Sequence, residues 1–313
     1  MKKTRLAISS ISFSRSQELR KSLENLPVEI FANEAGKKLD EEGLISFLKE
    51  THAEVLIIGL EPFTKRVIEE CPHIKAVCKY GVGLDNIDFE AARKARIELA
   101  WTPGVNKRSV SELVLAFALG HCRNVFTSMD SMKRGQWVKN GGRQLSEKTV
   151  GIVGFGYIGQ DLASLLQAFS CKLLVSDLLD LKKEAAAVGA EQVSYEELVR
   201  QSDILSFHVP LTALTRNLYS AEQIKQSKKD ALIINTSRGS VVDFHAVTSG
   251  VINGVLGAFA TDVYPEEPFD ASVYKDIPGL YFTPHIGGNA AEAVRAMGQA
   301  AIDHLVRYIH KRR

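Results

Sequence analysis

The chain has four cysteines in 313 residues, Cys71, Cys78, Cys122 and Cys171, and none stand in a CxxC pair. Neither a zinc knuckle nor a disulfide framework is built that way, so no metal is expected and a reducing compartment fits best. Charge of one sign is also scarce: the net charge is +2, too weak a field to select nucleic acid or an anionic membrane surface as partner. No window approaches the roughly 18 consecutive apolar residues of a membrane span. The opening M-K-K-T-R-L-A-I-S-S-I-S-F faintly resembles a signal peptide. Ser9, Ser10 and Ser12 break its apolar run and Arg15 and Glu18 halt it, so a cytoplasmic protein is expected. Internal repeats and low-complexity segments are absent as well.

What is present is the balance of an ordinary folded protein, 45% hydrophobic and 24% charged, which excludes disorder as the main theme. At about 150 residues per domain, the length suggests two domains. Short branched apolar runs alternate with helical patterns from end to end, the signature of parallel α/β architecture. The first series has strands at Leu6 to Ile11, Val28 to Phe31, Val55 to Ile58, Ala76 to Lys79 and Glu98 to Trp101. Helices are expected near 15 to 25, 40 to 51 and 63 to 70, and from Asp88, as cap, to Arg96. After the turn Thr102-Pro103-Gly104, Val110 to Cys122 reads as a helix too apolar to face water, hence buried between domains or subunits. The polar stretch Lys133 to Lys148 reads as an exposed loop.

A second series follows. Its strands are Thr149 to Val153, Lys172 to Ser176, Ile204 to Phe207, Leu232 to Ile234, Leu256 to Ala260 and Leu280 to Phe282. Helices are expected at Tyr157 to Phe169 and at Tyr195 to Gln201, the latter opened by a Ser194/Glu197 capping box. A last helix, capped by Asn289, runs to the basic end Lys311-Arg312-Arg313.

Directly after the strand ending at Val153 comes G-F-G-Y-I-G, placing Gly154, Gly156 and Gly159 at the opening of a helix. The first glycine permits a tight turn, the second lets a pyrophosphate approach the backbone, and the third lets helix and strand pack closely. Asp177 closes K-L-L-V-S-D, 18 residues after Gly159, where a carboxylate receives ribose hydroxyls and repels a 2′-phosphate. That favours NAD over NADP. Methyltransferases also pair a glycine-rich turn with an acidic strand end, so later residues must decide. Three segments near strand ends hold the polar groups of a redox site: Arg238 in N-T-S-R-G, Asp262 and Glu267 in D-V-Y-P-E-E-P, and His285 in T-P-H-I-G-G. Taken singly, Arg238 reads as a turn residue, Glu267 as a solvated loop and His285 as structural. Transfer from S-adenosylmethionine gives the three no task.

Together with K-Y-G-V-G-L-D-N-I-D (79 to 88), P-G-V-N-K-R-S-V-S-E (103 to 112), R-G-Q-W (134 to 137) and H-V-P-L-T (208 to 212), these motifs resemble, in order, the D-isomer-specific 2-hydroxyacid dehydrogenases. The likeness covers nearly the whole chain. It implies two doubly wound parallel-sheet α/β domains. One is a flavodoxin-like substrate domain, residues 1–101 plus 286–313, and the other an inserted Rossmann NAD-binding domain, 102–285, with a homodimer contact at 110–145. It also implies that His285 is the acid/base, paired with Glu267, and that Arg238 grips the substrate carboxylate. A histidine suits the proton that must join or leave the hydroxyl oxygen as hydride moves. The cofactor would be bordered by Gly154, Gly156, Tyr157, Ile158, Gly159, Asp177, His208, Pro210, Thr215, Thr236, Ser237, Gly287 and Gly288, with Asp262 at the nicotinamide carboxamide. Substrate would meet Lys79, Tyr80, the amides of Val82 and Gly83, and Asn106, with Ser109 near the domain interface.

Departures bear on the substrate. Phosphoglycerate dehydrogenases commonly place arginines around the loop after the third strand, whereas this chain reads I-I-G-L-E-P-F-T, with Glu61 where a phosphate would want a cation and Lys79 as partial compensation. Glyoxylate/hydroxypyruvate-type and phosphoglycerate-type substrates both stay open. Selectivity would rest on Ser12, Leu60 to Phe63, Lys79, Tyr80 and a cross-subunit residue such as Trp137. The alternative from another class is an NAD(H)-sensing binding protein, as corepressors of the same family are.

Overall fold

The computed structural model describes residues 3–34 and 36–312. The first two residues of the leader-like start and Arg313 of the basic end lie outside them. The chain divides into two compact units, Met1–Asn106 with Gly288–Arg313, and Lys107–Gly287. The division thus falls a few residues beyond the sequence-based positions, 101/102 and 285/286.

The first unit is a parallel sheet of β1 (Thr4–Ile8), β2 (Val28–Ala32), β3 (Val55–Ile58), β4 (Ala76–Lys79) and β5 (Glu98–Ala100), in the order β2-β1-β3-β4-β5. The V-L-I-I of β3 is buried throughout, as a strand covered on both faces must be, which is why its sequence shows no polar alternation. β1 was expected to reach Ile11 but stops at Ile8, because Ser10 accepts the Phe13 N–H and caps a helix over Ile11–Arg15. Asp40 and Asp88 cap the helices Glu41–Thr51 and Phe89–Lys94 in the same way. The closing helix, Ala291–Lys311, buries Met297, Ala301, Leu305 and Tyr308 against Leu6, Ile8, Val55 and Cys78. Its N-cap is Ala290, without a side-chain cap bond, rather than Asn289. A helix of this length draws much of its stability from the packed face.

The second unit is a seven-stranded parallel sheet: β6 (Thr149–Val153), β7 (Lys172–Ser176), β8 (Ala190–Gln192), β9 (Ile204–Phe207), β10 (Leu232–Asn235), β11 (Ala258–Thr261) and β12 (Leu280–Phe282). Its order is β12-β11-β10-β9-β6-β7-β8, reversing between β6 and β9. The apolar helix is observed at Lys107–Cys122. Val114, Phe117, Ala118 and Cys122 share a core with Leu162, Leu166, Val150 and Ile152, and Leu113, Leu115 and Leu119 pack on its margin. Its apolar surface is thus largely used to cover the sheet of its own unit. The segment after it is helical, at Val125–Lys133, and only then does an exposed stretch run from 134 to 144, anchored by buried Leu145. Short helices at Lys182–Ala187, Ala221–Gln226 and Phe244–Ile252 also escaped the sequence reading. At the expected capping box, Ser194 accepts the Glu197 N–H at 3.2 Å. No helix among the described residues is long and apolar enough to cross a membrane.

Candidate active site

The carboxyl ends of parallel strands are where doubly wound sheets receive ligands, above all where the strand order reverses. In the seven-stranded unit that point lies beside β6, and the three glycines after it have three different environments. Gly154 has φ +91°, and a Cβ there would lie 2.8 Å from the His208 carbonyl oxygen. At Gly159 it would lie 2.2 Å from the Gly154 oxygen, so helix Tyr157–Leu166 can approach β6 only without a side chain. Around Gly156 a Cβ would meet nothing within 4 Å, leaving room over the helix N-terminus for a phosphate. Asp177, after β7, is fastened at that edge: its Oδ2 accepts the Phe155 N–H at 2.7 Å and its Oδ1 the Leu179 N–H at 3.0 Å. Each oxygen retains acceptor capacity for a ribose hydroxyl.

The strands on the other side contribute polar atoms in waiting. Thr236 Oγ1 and His208 Nδ1 are buried without a hydrogen-bond partner among the described residues, a costly state that a polar ligand would relieve. His208 Nε2 lies 2.8 Å from Ser206 Oγ, and burial lowers the imidazole pKa to about 3, so the ring is neutral. The open space at Gly156, the fixed Asp177 and these two orphaned atoms fit a dinucleotide. Tyr157 is exposed and Ile158 half-buried in the first helical turn. Ser237 is turned inward onto Asn235, and Thr215 bonds the Pro210 carbonyl at 2.6 Å, shaping its own loop.

Arg238, Glu267 and His285 are brought together from three loops. Asn235 shapes the first, receiving the N–H and Oγ–H of Ser237 on its Oδ1 and donating from Nδ2 to the Arg238 carbonyl at 2.9 Å. Gly239 lets that loop rest on the next, since a Cβ there would lie 2.0 Å from the Tyr264 carbonyl carbon. Glu267 Oε1 accepts the Tyr264 N–H at 3.1 Å, and its Oε2 lies 2.7 Å from His285 Nδ1. Both side chains are one-third exposed, at 33%. The hydrogen bond to Glu267 is the largest influence on His285 and raises its pKa above the usual histidine value, against the lowering effect of burial.

His285 itself adopts a left-handed backbone, φ 54°, uncommon for a residue with a side chain and tolerated where the surroundings over-determine it. Asp262 supplies much of that constraint. Almost fully buried, it accepts Thr283 Oγ1 at 2.6 Å, the Ile286 N–H at 2.7 Å and the Gly287 N–H at 2.7 Å. Ser109 donates to the Gly287 carbonyl at 2.6 Å. Beneath the loops lies an aromatic support unnoticed in the sequence: Tyr264 stacks on Phe269 with centroids 4.4 Å apart and donates to the Thr283 carbonyl at 2.9 Å, while Phe244 touches both rings and Phe282. The only sequence signal for it was aromatic density between 244 and 282.

Lys79, Tyr80, Val82, Gly83, Asn106 and Gly288 belong to the five-stranded unit. Val82 and Gly83 are half-buried in the turn after β4, and a Cβ on Gly288 would lie 2.9 Å from Asn106 Nδ2. Tyr80 Oη and Asn106 Oδ1 are buried without partners among the described residues. Lys79 is not displayed as a surface charge: it is 3% exposed, and its ammonium donates to the Gly59 carbonyl and, at 3.0 Å, to Asn86 Oδ1.

Residues 115–287 match the model of the D-isomer specific 2-hydroxyacid dehydrogenase NAD binding domain. Over 273 residues the chain is 33% identical to the hydroxypyruvate reductase of Thermotoga maritima, covering 85% of this chain and 88% of that one. It is 34% identical to the D-3-phosphoglycerate dehydrogenase of Methanocaldococcus jannaschii over 87% of this chain, which spans 52% of that longer protein. The crystal structure of a glyoxylate reductase from Paecilomyes thermophila has the same fold, with TM-score 0.87 at 24% identity, covering 99% of this chain and 97% of that one.

Proposed function

Since the chain belongs to the D-isomer specific 2-hydroxyacid dehydrogenases and is an NAD-dependent oxidoreductase, we propose that it interconverts a small 2-oxo acid and the D-2-hydroxy acid, with His285, Glu267 and Arg238 carrying the chemistry. The observation behind this reading is the 2.7 Å pairing of His285 Nδ1 with Glu267, beside the Arg238 loop. When bound, the nicotinamide supplies or accepts the hydride at the α-carbon. Glu267 fixes the imidazole through Nδ1 and stabilises its protonated form, so Nε2 is the atom that gives a proton to the keto oxygen in reduction and takes it back in oxidation. Arg238 offers a planar fork for the substrate carboxylate and positive charge where the oxygen becomes negative. The amides of Val82 and Gly83 and the side chains of Tyr80 and Asn106 are the proposed contacts from the five-stranded unit. Asp262 holds the His285 loop and, with Thr236 and His208, borders the cofactor.

We also assign a homodimer contact to 110–145, where Val125, Met129, Met132, Trp137 and Val138 are exposed, and place the enzyme in the cytoplasm. Following NADH oxidation by absorbance tests the reading, against glyoxylate, hydroxypyruvate, pyruvate, 2-oxoisocaproate and 3-phosphohydroxypyruvate. At least one should turn over, and His285→Ala should lower kcat on it by about a hundredfold or more. Tight NADH binding without turnover of any oxo acid, or an alanine variant within about threefold of the parent where acid–base loss predicts far more, would reject the assignment.

A further inference from the structure

The order β2-β1-β3-β4-β5 reverses between β1 and β3, so the carboxyl ends of those strands are where this unit would receive a ligand. They are bridged by side chains. Glu61, after β3 and 3% exposed, accepts Ser9 Oγ–H from the end of β1 and the Gly59 N–H, each at 2.9 Å. From the end of β4, Lys79 donates to the Gly59 carbonyl, so one glycine is gripped through both its backbone groups. Asn86 accepts from Lys79 and donates to the carbonyls of Gly59, at 3.2 Å, and Glu61, at 2.6 Å. Asn33, after β2, donates to the Ser9 carbonyl at 3.1 Å. Four strand ends are thereby joined around one buried carboxylate, with the Lys79 ammonium bonded to the same loop at Gly59. At the tip the chain presents Leu60, 56% exposed.

We propose that this network restricts the enzyme to 2-oxo acids whose substituent beyond the keto carbon is uncharged, with Glu61 repelling a phosphate or second carboxylate and Leu60 facing the substituent. The inference rests on the dehydrogenase reading above and narrows its substrate class. Two charges of like sign brought together in a partly dehydrated crevice disfavour a ligand strongly, and discrimination built on such repulsion is removed by neutralising one of them. The Glu61→Gln variant keeps the shape and the acceptor oxygen toward Gly59 while deleting the charge.

Two measurements test it. The first is the ratio of kcat/KM for hydroxypyruvate over 3-phosphohydroxypyruvate, expected at about thirtyfold or more in the parent and at least about tenfold smaller in Glu61→Gln. A parent that uses the phosphorylated acid equally well, or a ratio untouched by the substitution, overturns the inference. The second is independent of turnover: the melting temperature of the NAD-loaded protein in rising 3-phosphoglycerate, matched for ionic strength with sulfate-free salt. It should stay flat for the parent and rise for Glu61→Gln. A rise in the parent equal to that in the variant overturns the proposal. Absence of turnover on every oxo acid would sink the dehydrogenase assignment while this second measurement still decides whether Glu61 excludes an anion. Should Glu61→Gln fail to fold, Glu61→Ala with the same two readings takes its place, since it deletes the same charge.

Discussion

The two units offer the same kind of edge, the carboxyl ends of a parallel sheet at a reversal of strand order, and treat it in opposite ways. In the seven-stranded unit the edge is open: Gly156 faces empty space, and Thr236 Oγ1 and His208 Nδ1 have no partners. In the five-stranded unit Ser9, Glu61, Lys79 and Asn86 satisfy one another across the reversal point. Tyr80 Oη and Asn106 Oδ1 are buried there without partners among the described residues. A polar ligand would relieve the unmet atoms in either unit, so the difference lies in the side-chain network around Glu61, which bridges the strand ends of the five-stranded unit alone. The seven-stranded unit carries the NAD-binding domain, and on the proposed reading it also carries the chemistry while the five-stranded unit carries selection.

The largest effect that separates these roles is expected at Arg238. Replacing it with Gln removes the charge-assisted fork and should lower kcat/KM for the best oxo acid by about a hundredfold to a thousandfold, the equivalent of about 3 to 4 kcal/mol. Because the residue is half-buried in a loop, the melting temperature should change little. Steady-state kinetics paired with a melting curve checks both. If the variant lost stability and activity together, Arg238 would be structural and the contrast between the units would blur.

A smaller effect is expected at Glu267. Its hydrogen bond raises the His285 pKa, so the imidazolium needed for reduction persists to higher pH than in a lone histidine. Reduction should therefore decline as pH rises through that raised value, and in Glu267→Gln the decline should begin at lower pH, with kcat about tenfold smaller at its optimum. In the direction of oxidation, which needs the neutral ring, activity should rise with pH and begin its rise at lower pH in the variant. The same pairing contributes stability that is fully present below the unfolded histidine value of about 6.5 and is lost as pH climbs through the raised folded value. A pH–rate profile with an unmoved limb would show that the 2.7 Å contact does not govern the proton.

How much of this was readable beforehand follows from the kind of signal each part leaves. The strands at Val55–Ile58, Ala76–Lys79, Thr149–Val153, Lys172–Ser176, Ile204–Phe207 and Leu280–Phe282 were legible to the residue, because short apolar runs between breakers have few other uses. The glycine turn was legible because its spacing states a steric requirement. Helices such as Lys182–Ala187 and Ala221–Gln226 were not, being too short to show a period. The apolar helix Lys107–Cys122 was found, but its packing against Leu162, Leu166 and β6 was not foreseen, since hydrophobicity reports that a surface is covered and not by what. The Glu61 network was out of reach for another reason. Ser9, Gly59, Lys79 and Asn86 are far apart in sequence and individually ordinary, and only the sheet order makes them neighbours. Asp262 was expected at the cofactor from the family resemblance, while its three bonds to 283–287 depend on a loop conformation no local pattern encodes.

The smallest effect sharpens the idea of an open edge. Gly156→Ala adds one methyl group where nothing lies within 4 Å, at an ordinary negative φ of −81°. The folded protein has room for it, so stability should fall by no more than about 1 kcal/mol, the difference between glycine and alanine at a helix N-cap. The methyl would nevertheless stand over the N-terminus where a pyrophosphate needs the backbone, and NADH affinity should weaken by about tenfold, close to the 1.4 kcal/mol that such a factor represents. Gly159→Ala makes the reverse case. Its methyl group would lie 2.2 Å from the Gly154 oxygen, so helix and strand must separate and the melting temperature should drop in the absence of any ligand. Fluorescence titration with NADH beside thermal melts of both variants distinguishes them. Equal losses of stability in the two would mean that the space at Gly156 is needed by the fold itself, and the edge would no longer count as open.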